Sequence, residues 1–273
     1  RRFTLARQAR LGPGGLAAAC AAAENGKRVA LVDDTPWFGG QIWRGQQTKP
    51  SVPQAREWIE RFRRSGAILL SSTSVIASPR TGVLLAEHPD GGREIHWQHL
   101  ILATGARELF LPFPGWTLPG VIGPGGLQAL VKHGWPISGQ RVVVAGSGPL
   151  LLAVAEGLQK HGAKMVSINE QAPWRSVAGF GFKLLAHPGK LLQGAQLKFR
   201  LLGVPHRCGV WPVRADGDEQ VRRVTLTDGN RTWTEDCDVL ACGFGLVPNV
   251  ELPLLLGCAL QSDFVRVDKW QTS

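Results

Sequence analysis

The stretch Arg141–Leu152 (RVVVAGSGPLLL) decides the fold. A short apolar strand runs directly into a Gly-x-Gly turn, and the turn runs directly into an apolar helix. This order predicts exposed backbone N–H groups at a helix N-terminus, where the partial positive charge binds a pyrophosphate. Gly146 allows the tight turn, Gly148 lets a ligand approach the backbone, and Ser147 stands between them in the binding loop.

The strand that follows this helix ends in an acid at the expected distance. The segment Met165–Asn169 leads to Glu170, about two dozen residues after Gly146, where a carboxylate meets a ribose 2′-OH. The third glycine position of the pattern holds Leu151, which predicts a helix that lies further from the sheet. The pattern therefore predicts a nucleotide-binding unit, and the alternative is a Rossmann-like unit with an empty cleft.

The N-terminal region repeats the same plan. Gly12–Gly15 (GPGG) opens a helical run, and the strand Arg28–Val32 leads to Asp34, about 22 residues after Gly12. Duplication of a nucleotide-binding unit points to an enzyme that uses two nucleotides, or one flavin and one nicotinamide.

The first strand of this N-terminal copy is atypical. A central parallel strand is normally a continuous apolar run, but Arg7 falls in mid-strand and Arg10 takes the first-glycine position. A truncated or frame-shifted start explains this best, because burying an unpaired guanidinium costs several kcal/mol. The alternative is that Arg10 itself contacts a phosphate.

Further segments narrow the class of protein. They are Asp34–Arg44 (DTPWFGGQIWR), Leu100–Arg107 (LILATGAR), Phe113–Gly120 (FPGWTLPG), Gln171–Pro173 (QAP), Pro188–Gln193 (PGKLLQ), Leu201–Pro205 (LLGVP) and Leu240–Asn249 (LACGFGLVPN). With the two Gly-rich turns, they make residues 12–273 resemble the larger, FAD-binding subunit of opine oxidase, hydrogen cyanide synthase and dye-linked L-proline dehydrogenase.

The resemblance implies two sets of cofactor-binding residues. For FAD, these are Gly12 and Gly15 at the pyrophosphate, Asp34 at the adenosine ribose, Gly40 and Gln41 toward the flavin, Val75 at the adenine, and Thr104 and Gly105 near the domain crossing. For a second nucleotide, either NAD(P) or an adenine nucleotide, they are Gly146, Ser147, Gly148 and Glu170, with Gly243 at the crossing back.

The alternation of helices and strands predicts an α/β protein with two Rossmann-like nucleotide-binding domains, the first interrupted by the second. We expect the FAD-type domain over residues 1–115, the second nucleotide-binding domain over 116–240, and a return segment over 241–273. The family pattern continues past Ser273, so we expect a fragment whose FAD site lacks part of its return segment.

The composition excludes several classes of protein. Hydrophobic residues make up 44% and charged residues 19%, which is ordinary for a globular protein. The net charge is +10, but the basic residues are scattered, which disfavours nucleic acid and favours anionic cofactors or partners. No membrane span or secretory leader is predicted. We expect a cytoplasmic protein, and the resemblance adds association with a membrane through an electron acceptor as an alternative.

Neither the cysteines nor the histidines predict a catalytic site. Cys237 and Cys242 have the C-x4-C spacing of some redox disulfides. On one strand, however, residues five apart are separated by about 16 Å, and a disulfide needs about 7 Å or less. No spacing suggests metal ligation. No catalytic residue is assigned. Surface or capping roles are expected for six of the seven histidines: His96, His99, His133, His161, His187 and His206.

The leading hypothesis is a subunit that relays electrons while a smaller, flavoprotein oxidase-like partner subunit oxidises an amine or amino acid. The alternatives are a nucleotide-binding subunit without redox activity and an inactive gene fragment.

Overall fold

The computed structural model describes residues 12–37, 39, 40, 42, 43 and 52–273, together with the backbone of residues 3–7. The chain forms two compact units. The terminal unit comprises Arg1–Arg107 and Val247–Ser273, and the central unit comprises Glu108–Leu246. The domain boundaries predicted at 115/116 and 240/241 stay predictions. The α/β class with the first unit interrupted by the second is confirmed.

The elements follow one another along the chain in three groups. Up to the first crossing they are β1 (Phe3–Arg7), α1 (Pro13–Glu24), β2 (Val29–Val32), α2 (Pro53–Arg64), β3 (Ile68–Leu70), β4 (Ser74–Arg80), β5 (Val83–His88), β6 (Gly91–Leu102) and β7 (Ala106–Glu108). The central unit then contains β8 (Val121–Ile122), α3 (Pro124–Lys132), β9 (Arg141–Gly146), α4 (Leu150–Lys160), β10 (Lys164–Glu170), α5 (Trp174–Lys183), a 3-10 turn (Leu184–Ala186), α6 (Pro188–Arg200), β11 (His206–Cys208), β12 (Trp211–Asp216), β13 (Arg223–Thr227), β14 (Thr232–Asp236) and β15 (Val239–Gly243). The remaining elements are β16 (Leu246–Pro248), α7 (Glu251–Leu255), β17 (Leu260–Gln261) and β18 (Phe264–Val265).

The terminal unit is built on a six-stranded sheet in the order β3-β2-β1-β6-β5-β4. Strands β3, β2, β1 and β6 are parallel, and β5 and β4 add on as antiparallel strands. Leu5 of β1 pairs with Ala30 on one side and with Leu100 on the other. The atypical strand forms at the centre of the sheet, because strand pairing uses backbone groups. It ends at Arg7, which the sequence pattern places in mid-strand, and Arg10 lies outside the described residues.

The central unit is built on a five-stranded parallel sheet in the order β11-β10-β9-β15-β8. One face packs against α3 and α4 through a core that includes Leu127, Val142, Val154 and Leu158. Leu151, the residue at the third-glycine position, is buried in this core. The large side chain thus supplies packing where the usual pattern supplies close backbone approach.

The opposite face of this parallel sheet packs against the antiparallel sheet β12-β13-β14. Val143 and Ala145 of β9 share that core with Val224 and Leu226 of β13. Since both faces are covered, strands β9 and β15 read as continuous apolar runs, as expected for buried parallel strands.

Candidate functional site

In the central unit, three predicted site residues lie side by side at the carboxyl ends of adjacent strands. Gly146, at the end of β9, pairs with Glu170 at the end of β10 and with Gly243 at the end of β15. The structure thus brings together residues that are far apart in the sequence. Open parallel sheets bind ligands just outside such strand ends.

Position 146 requires a glycine, because the backbones of β9 and β15 approach each other closely there. Its φ is +142°, and a Cβ placed on it would lie 1.6 Å from the Gly243 carbonyl oxygen. The same carbonyl oxygen accepts a hydrogen bond of 2.9 Å from the Ser147 N–H. Any side chain at position 146 would thus push β9 and β15 apart.

Glu170 is held in the predicted position by backbone hydrogen bonds. Its side chain is almost fully buried, Oε2 accepts a 2.8 Å bond from the Gly148 N–H, and Oε1 accepts a 2.9 Å bond from the Ala172 N–H. A carboxylate has about four acceptor positions, so two bonds leave capacity for the hydroxyls of a ribose.

Gly148 leaves room for a ligand in front of the helix. Its φ is +105°, and a Cβ added there would have no neighbour within 4 Å. Helix α4 begins directly afterwards at Leu150, with Pro149 at its N-cap. The open space at a glycine, the helix N-terminus and the carboxylate of Glu170 together fit the phosphate and ribose of a nucleotide.

Glu108 lies beside this site and is not evident from the sequence motifs. Its Oε1 accepts a 2.6 Å bond from the Gly125 N–H, and its Oε2 accepts a 3.3 Å bond from the Gly126 N–H, at the start of α3. A Cβ on Gly243 would be 3.9 Å from Glu108 Oε1. The signal that was available is the pentapeptide GPGGL, which occurs at both 12–16 and 123–127.

In the terminal unit, the first copy of this pentapeptide opens α1. Gly12 is the N-cap in an extended conformation, Pro13 occupies the first turn, and the Leu16 N–H donates a 3.2 Å bond to the Gly12 carbonyl oxygen. Gly15 is buried, and a Cβ on Gly14 would meet nothing within 4 Å. Its N-cap glycine has no side chain, as at the start of α3, and helix starts of this kind bind anions.

Asp33, which the spacing argument passed over, is the structural counterpart of Glu170. It is fully buried, and its Oδ1 accepts a 2.6 Å bond from the Thr35 N–H, two residues further on. Glu170 accepts from Ala172 with the same two-residue separation. The predicted ribose-binding residue Asp34 is exposed. The role of Asp34 stays a prediction. The spacing from Gly12 alone does not decide which of the two adjacent acids contacts a ribose.

The loop after these acids contains a second close approach. A Cβ on Gly39, whose φ is +109°, would lie 2.1 Å from the Trp43 carbonyl oxygen. The next residue, Gly40, is buried with a φ of +55°. Gln41 lies outside the described residues.

The remaining predicted FAD residues lie on separate parts of the terminal unit. Val75 is on β4, where it pairs with Ala86 and packs on the core. The Thr104 hydroxyl donates a 2.7 Å bond to the carbonyl oxygen of Asn249, whose side-chain amide donates to the Thr104 carbonyl oxygen. The Asn249 N–H also donates to the Gly105 carbonyl oxygen at 3.0 Å. These bonds fasten the returning chain at the predicted site.

Two of the histidines are helix caps. The ring Nδ1 of His133 lies 2.7 Å from the Ala129 carbonyl oxygen, and that of His161 lies 2.7 Å from the Gly157 carbonyl oxygen. Both are at the C-terminal ends of helices, where such contacts satisfy unpaired carbonyl groups.

Cys237 and Cys242 are buried free thiols in the central unit. Burial raises the pKa of each thiol from 9.0 to about 12. The neutral forms therefore persist in the folded protein, where both cysteines pack as small apolar side chains in the core. Among the residues that the structure describes, no group of histidines, cysteines and acids could hold a metal ion.

We expect iodoacetamide to leave Cys237 and Cys242 unmodified in the folded chain, because thiolates are the reactive species. The thiols of the unfolded chain ionise first, so their contribution to the free energy of unfolding is fully present below about pH 9. Between this pH and the folded pKa of about 12, the free energy of unfolding falls by about 1.4 kcal/mol per thiol and pH unit. Mass spectrometry with and without urea measures the labelling, with the partly exposed Cys258 as the control. Equal labelling of Cys242 and Cys258 without urea would contradict this account.

The fold and the central site define a nucleotide-binding protein of the two-domain flavoprotein type. The sequence pattern of the pyridine nucleotide-disulphide oxidoreductases matches residues 11–273. The chain belongs to this family of FAD- and NAD(P)-binding oxidoreductases. The predicted cofactors, FAD and a second nucleotide, are thereby confirmed at the level of the family.

Similar proteins include two enzyme subunits. The hydrogen cyanide synthase subunit HcnB of Pseudomonas aeruginosa is 32% identical over 267 residues, which cover 90% of this chain and 58% of HcnB. An opine oxidase subunit of Rhizobium meliloti is 30% identical over 271 residues, or 91% of this chain and 58% of that protein. The chain therefore spans about 58% of the length of these relatives.

Two solved structures share the fold. Thioredoxin reductase of T. acidophilum superposes with a TM-score of 0.75 at 20% identity, covering 100% of this chain and 86% of that protein. L-Proline dehydrogenase of P. horikoshii superposes with a TM-score of 0.69 at 20% identity, covering 99% of this chain and 48% of that chain. Within the described residues, no helix has the length and apolar character needed to cross a membrane.

Proposed function

We propose that this chain binds FAD in its terminal unit and a second nucleotide in its central unit. In this proposal it relays electrons in the oxidation of an amine or amino acid. The observation that carries the nucleotide site is the alignment of Gly146, Glu170 and Gly243 across three adjacent strand ends. Membership of the oxidoreductase family supports the assignment of a redox function.

The repeated GPGGL segment supports the assignment of the terminal unit to a phosphate-bearing cofactor. At 123–127 the carboxylate of Glu108 accepts from the helix-start N–H groups, which shows that this turn binds an oxyanion. The turn at 12–16 has the same sequence, and its N-cap is likewise a glycine followed by a proline. We assign it to the FAD pyrophosphate, with Asp33 or Asp34 at the adenosine ribose.

The bound flavin supplies electron transfer, and the chain's own residues bind and orient it. Gly12, Gly15 and the acids after β2 hold the adenosine diphosphate portion, and the hydrogen bonds of Asn249 fix the loop at Thr104 and Gly105. No acid or base of this chain is assigned to the oxidation itself. We assign that step to a smaller, flavoprotein oxidase-like partner subunit, since the similar proteins named above are themselves called subunits.

Reduction of the reconstituted chain tests these assignments. After loading with FAD under anaerobic conditions, NADH is added to one sample, ATP to a second, and glycine, proline or an opine to a third. Bleaching of the visible flavin band by NADH identifies a nicotinamide donor, while binding of ATP without bleaching by NADH identifies an adenine nucleotide site. The amines alone should leave the flavin oxidised. Bleaching by one of them without a partner would contradict the division of labour.

Replacing Glu170 by glutamine should weaken binding of the second nucleotide by about tenfold to a hundredfold, because hydrogen bonds to a charged acceptor contribute about 1.5–3 kcal/mol. Isothermal titration with ADP-ribose measures the change. Glu156→Gln is the matched control: Glu156 is also buried in the central unit, but it pairs with Lys160 and Arg200. Equal losses in both variants would show that Glu170 does not contact the ligand.

A further inference from the structure

The segment 174–202 of the central unit, here called the helical arm, exposes apolar side chains along its whole length. It comprises α5, the 3-10 turn and α6, and neither helix contains a buried residue. Eight large apolar side chains of the arm are between 37% and 73% exposed: Trp174, Phe180, Phe182, Leu185, Leu191, Leu192, Phe199 and Leu202. Large exposed apolar surfaces on folded proteins commonly mark binding sites.

The apolar side chains of α6 form a stripe on its solvent side. Leu192, Ala195 and Phe199 follow one another at the spacing of one helical face, and Leu202 lies in the turn directly after the helix. All four side chains are exposed. The other side of α6 faces the body of the unit, where Arg200 pairs with Glu156 of α4 at 2.7 Å. The helix is therefore anchored with its apolar stripe turned outward.

The charge of the arm has one sign. No aspartate or glutamate occurs between residues 171 and 215. The arm carries five basic residues, all of them exposed: Arg175, Lys183, Lys190, Lys198 and Arg200. Lys198 also lies over the ring of Trp174, 5.9 Å from its centroid. Basic residues beside exposed Trp, Phe and Leu are typical of helices that lie in the interface of an anionic bilayer.

A groove of about 540 Å³ adjoins the stripe. Its lining includes Trp174, Phe199 and Leu202 from the arm and Leu152 from α4. The apolar surface thus extends from the outer face of α6 into a recess. Protein interfaces are generally depleted of lysine at their apolar centres, whereas three of the five cations here are lysines.

From the exposed stripe, the uniform charge and the groove, we propose that the helical arm is a docking surface for a lipid bilayer that contains anionic headgroups. The apolar side chains enter the interface between headgroups and acyl chains, and the cations of Arg175, Lys183, Lys190 and Lys198 lie against the headgroups. Arg200 stays paired with Glu156. The groove adjoins the proposed nucleotide site, because Cys208 in its lining pairs with Glu170. The vesicle experiments measure binding to a bilayer and not to a nucleotide, so the proposal stands or fails separately from the proposed function.

Co-sedimentation with vesicles tests the proposal. The 273-residue chain should bind vesicles of phosphatidylcholine mixed with phosphatidylglycerol, and bind vesicles of phosphatidylcholine alone at least about tenfold more weakly. Added salt should weaken the binding, since exposed charges are screened. An equal affinity for both kinds of vesicle, or no binding to the anionic ones, would overturn the proposal.

A matched pair of triple variants locates the surface. Leu192→Gln, Phe199→Gln and Leu202→Gln together should lower the partition onto anionic vesicles by at least about tenfold. The control Leu254→Gln, Phe264→Gln and Trp270→Gln changes three exposed apolar side chains of the terminal unit and should bind as the original chain does. Circular dichroism establishes that both fold. If the arm variant bound unchanged, or only disrupted a dimer seen by light scattering, the surface would not be a bilayer-docking site.

Discussion

Replacement of Gly146 by alanine is expected to lower the free energy of unfolding of the central unit by more than about 3 kcal/mol and to abolish nucleotide binding. The new Cβ would lie 1.6 Å from the Gly243 carbonyl oxygen, so β9 and β15 would have to separate. The positive φ of +142° adds strain for any L-residue. Urea unfolding followed by circular dichroism measures the stability, and titration with ADP-ribose measures the binding.

Two other glycine variants separate strain from contact. At Gly148 a Cβ meets nothing within 4 Å, so Gly148→Ala should cost about 1 kcal/mol in stability while obstructing the approach of the ligand. At Gly139 a Cβ also meets nothing within 4 Å, and Gly139→Ala should have a similar cost of about 1 kcal/mol without affecting the nucleotide. Undiminished binding by Gly148→Ala would contradict the proposed position of the phosphates.

Replacement of Glu235 by alanine should destabilise the central unit by about 2 kcal/mol, because it leaves the partly buried Arg207 and the buried Ser167 hydroxyl without their acceptor. Glu235 Oε1 accepts a 2.6 Å bond from Arg207, and its Oε2 accepts from the Ser167 hydroxyl. Asn169 completes the network by donating to Ser167 and accepting from Arg207. These hydrogen bonds connect β10 and β11 to the antiparallel sheet. Strand β10 also carries Glu170.

The matched control for Glu235 is an exposed ion pair. Glu251 lies 2.7 Å from Arg107, and both side chains are more than half exposed. Its replacement by alanine should change stability by less than about 1 kcal/mol. Urea unfolding monitored by circular dichroism gives both values, and equal effects would show that the buried network has no special structural role.

The sequence predicted those parts of the fold and site whose determinants are local. The apolar strand, the Gly-x-Gly turn and the following helix are adjacent at 141–160, and the position of Glu170 follows from the length of one helix and one strand. The adjacency of Gly243 to Gly146 followed from family resemblance. The structure accounts for it through the parallel pairing of β15 with β9.

Features that depend on distant chain segments were not predictable in the same way. Glu108 reaches the start of α3 across a loop of irregular structure, and Asn249 reaches Thr104 from more than a hundred residues away. The choice between Asp33 and Asp34 depends on strand register, which shifts a side chain to the other face with each residue. The apolar stripe of α6 has helical periodicity, but periodicity does not show which side faces solvent.

The most direct test of the central claim is the visible absorption spectrum of the purified chain before and after incubation with FAD and desalting. The account predicts flavin bands that survive desalting, with about one FAD per chain. A matched variant, Gly12→Val, should lose those bands while keeping its circular dichroism spectrum, because the added side chain crowds the start of α1. A well-folded but colourless original chain would contradict the assignment of the terminal unit as an FAD-binding domain.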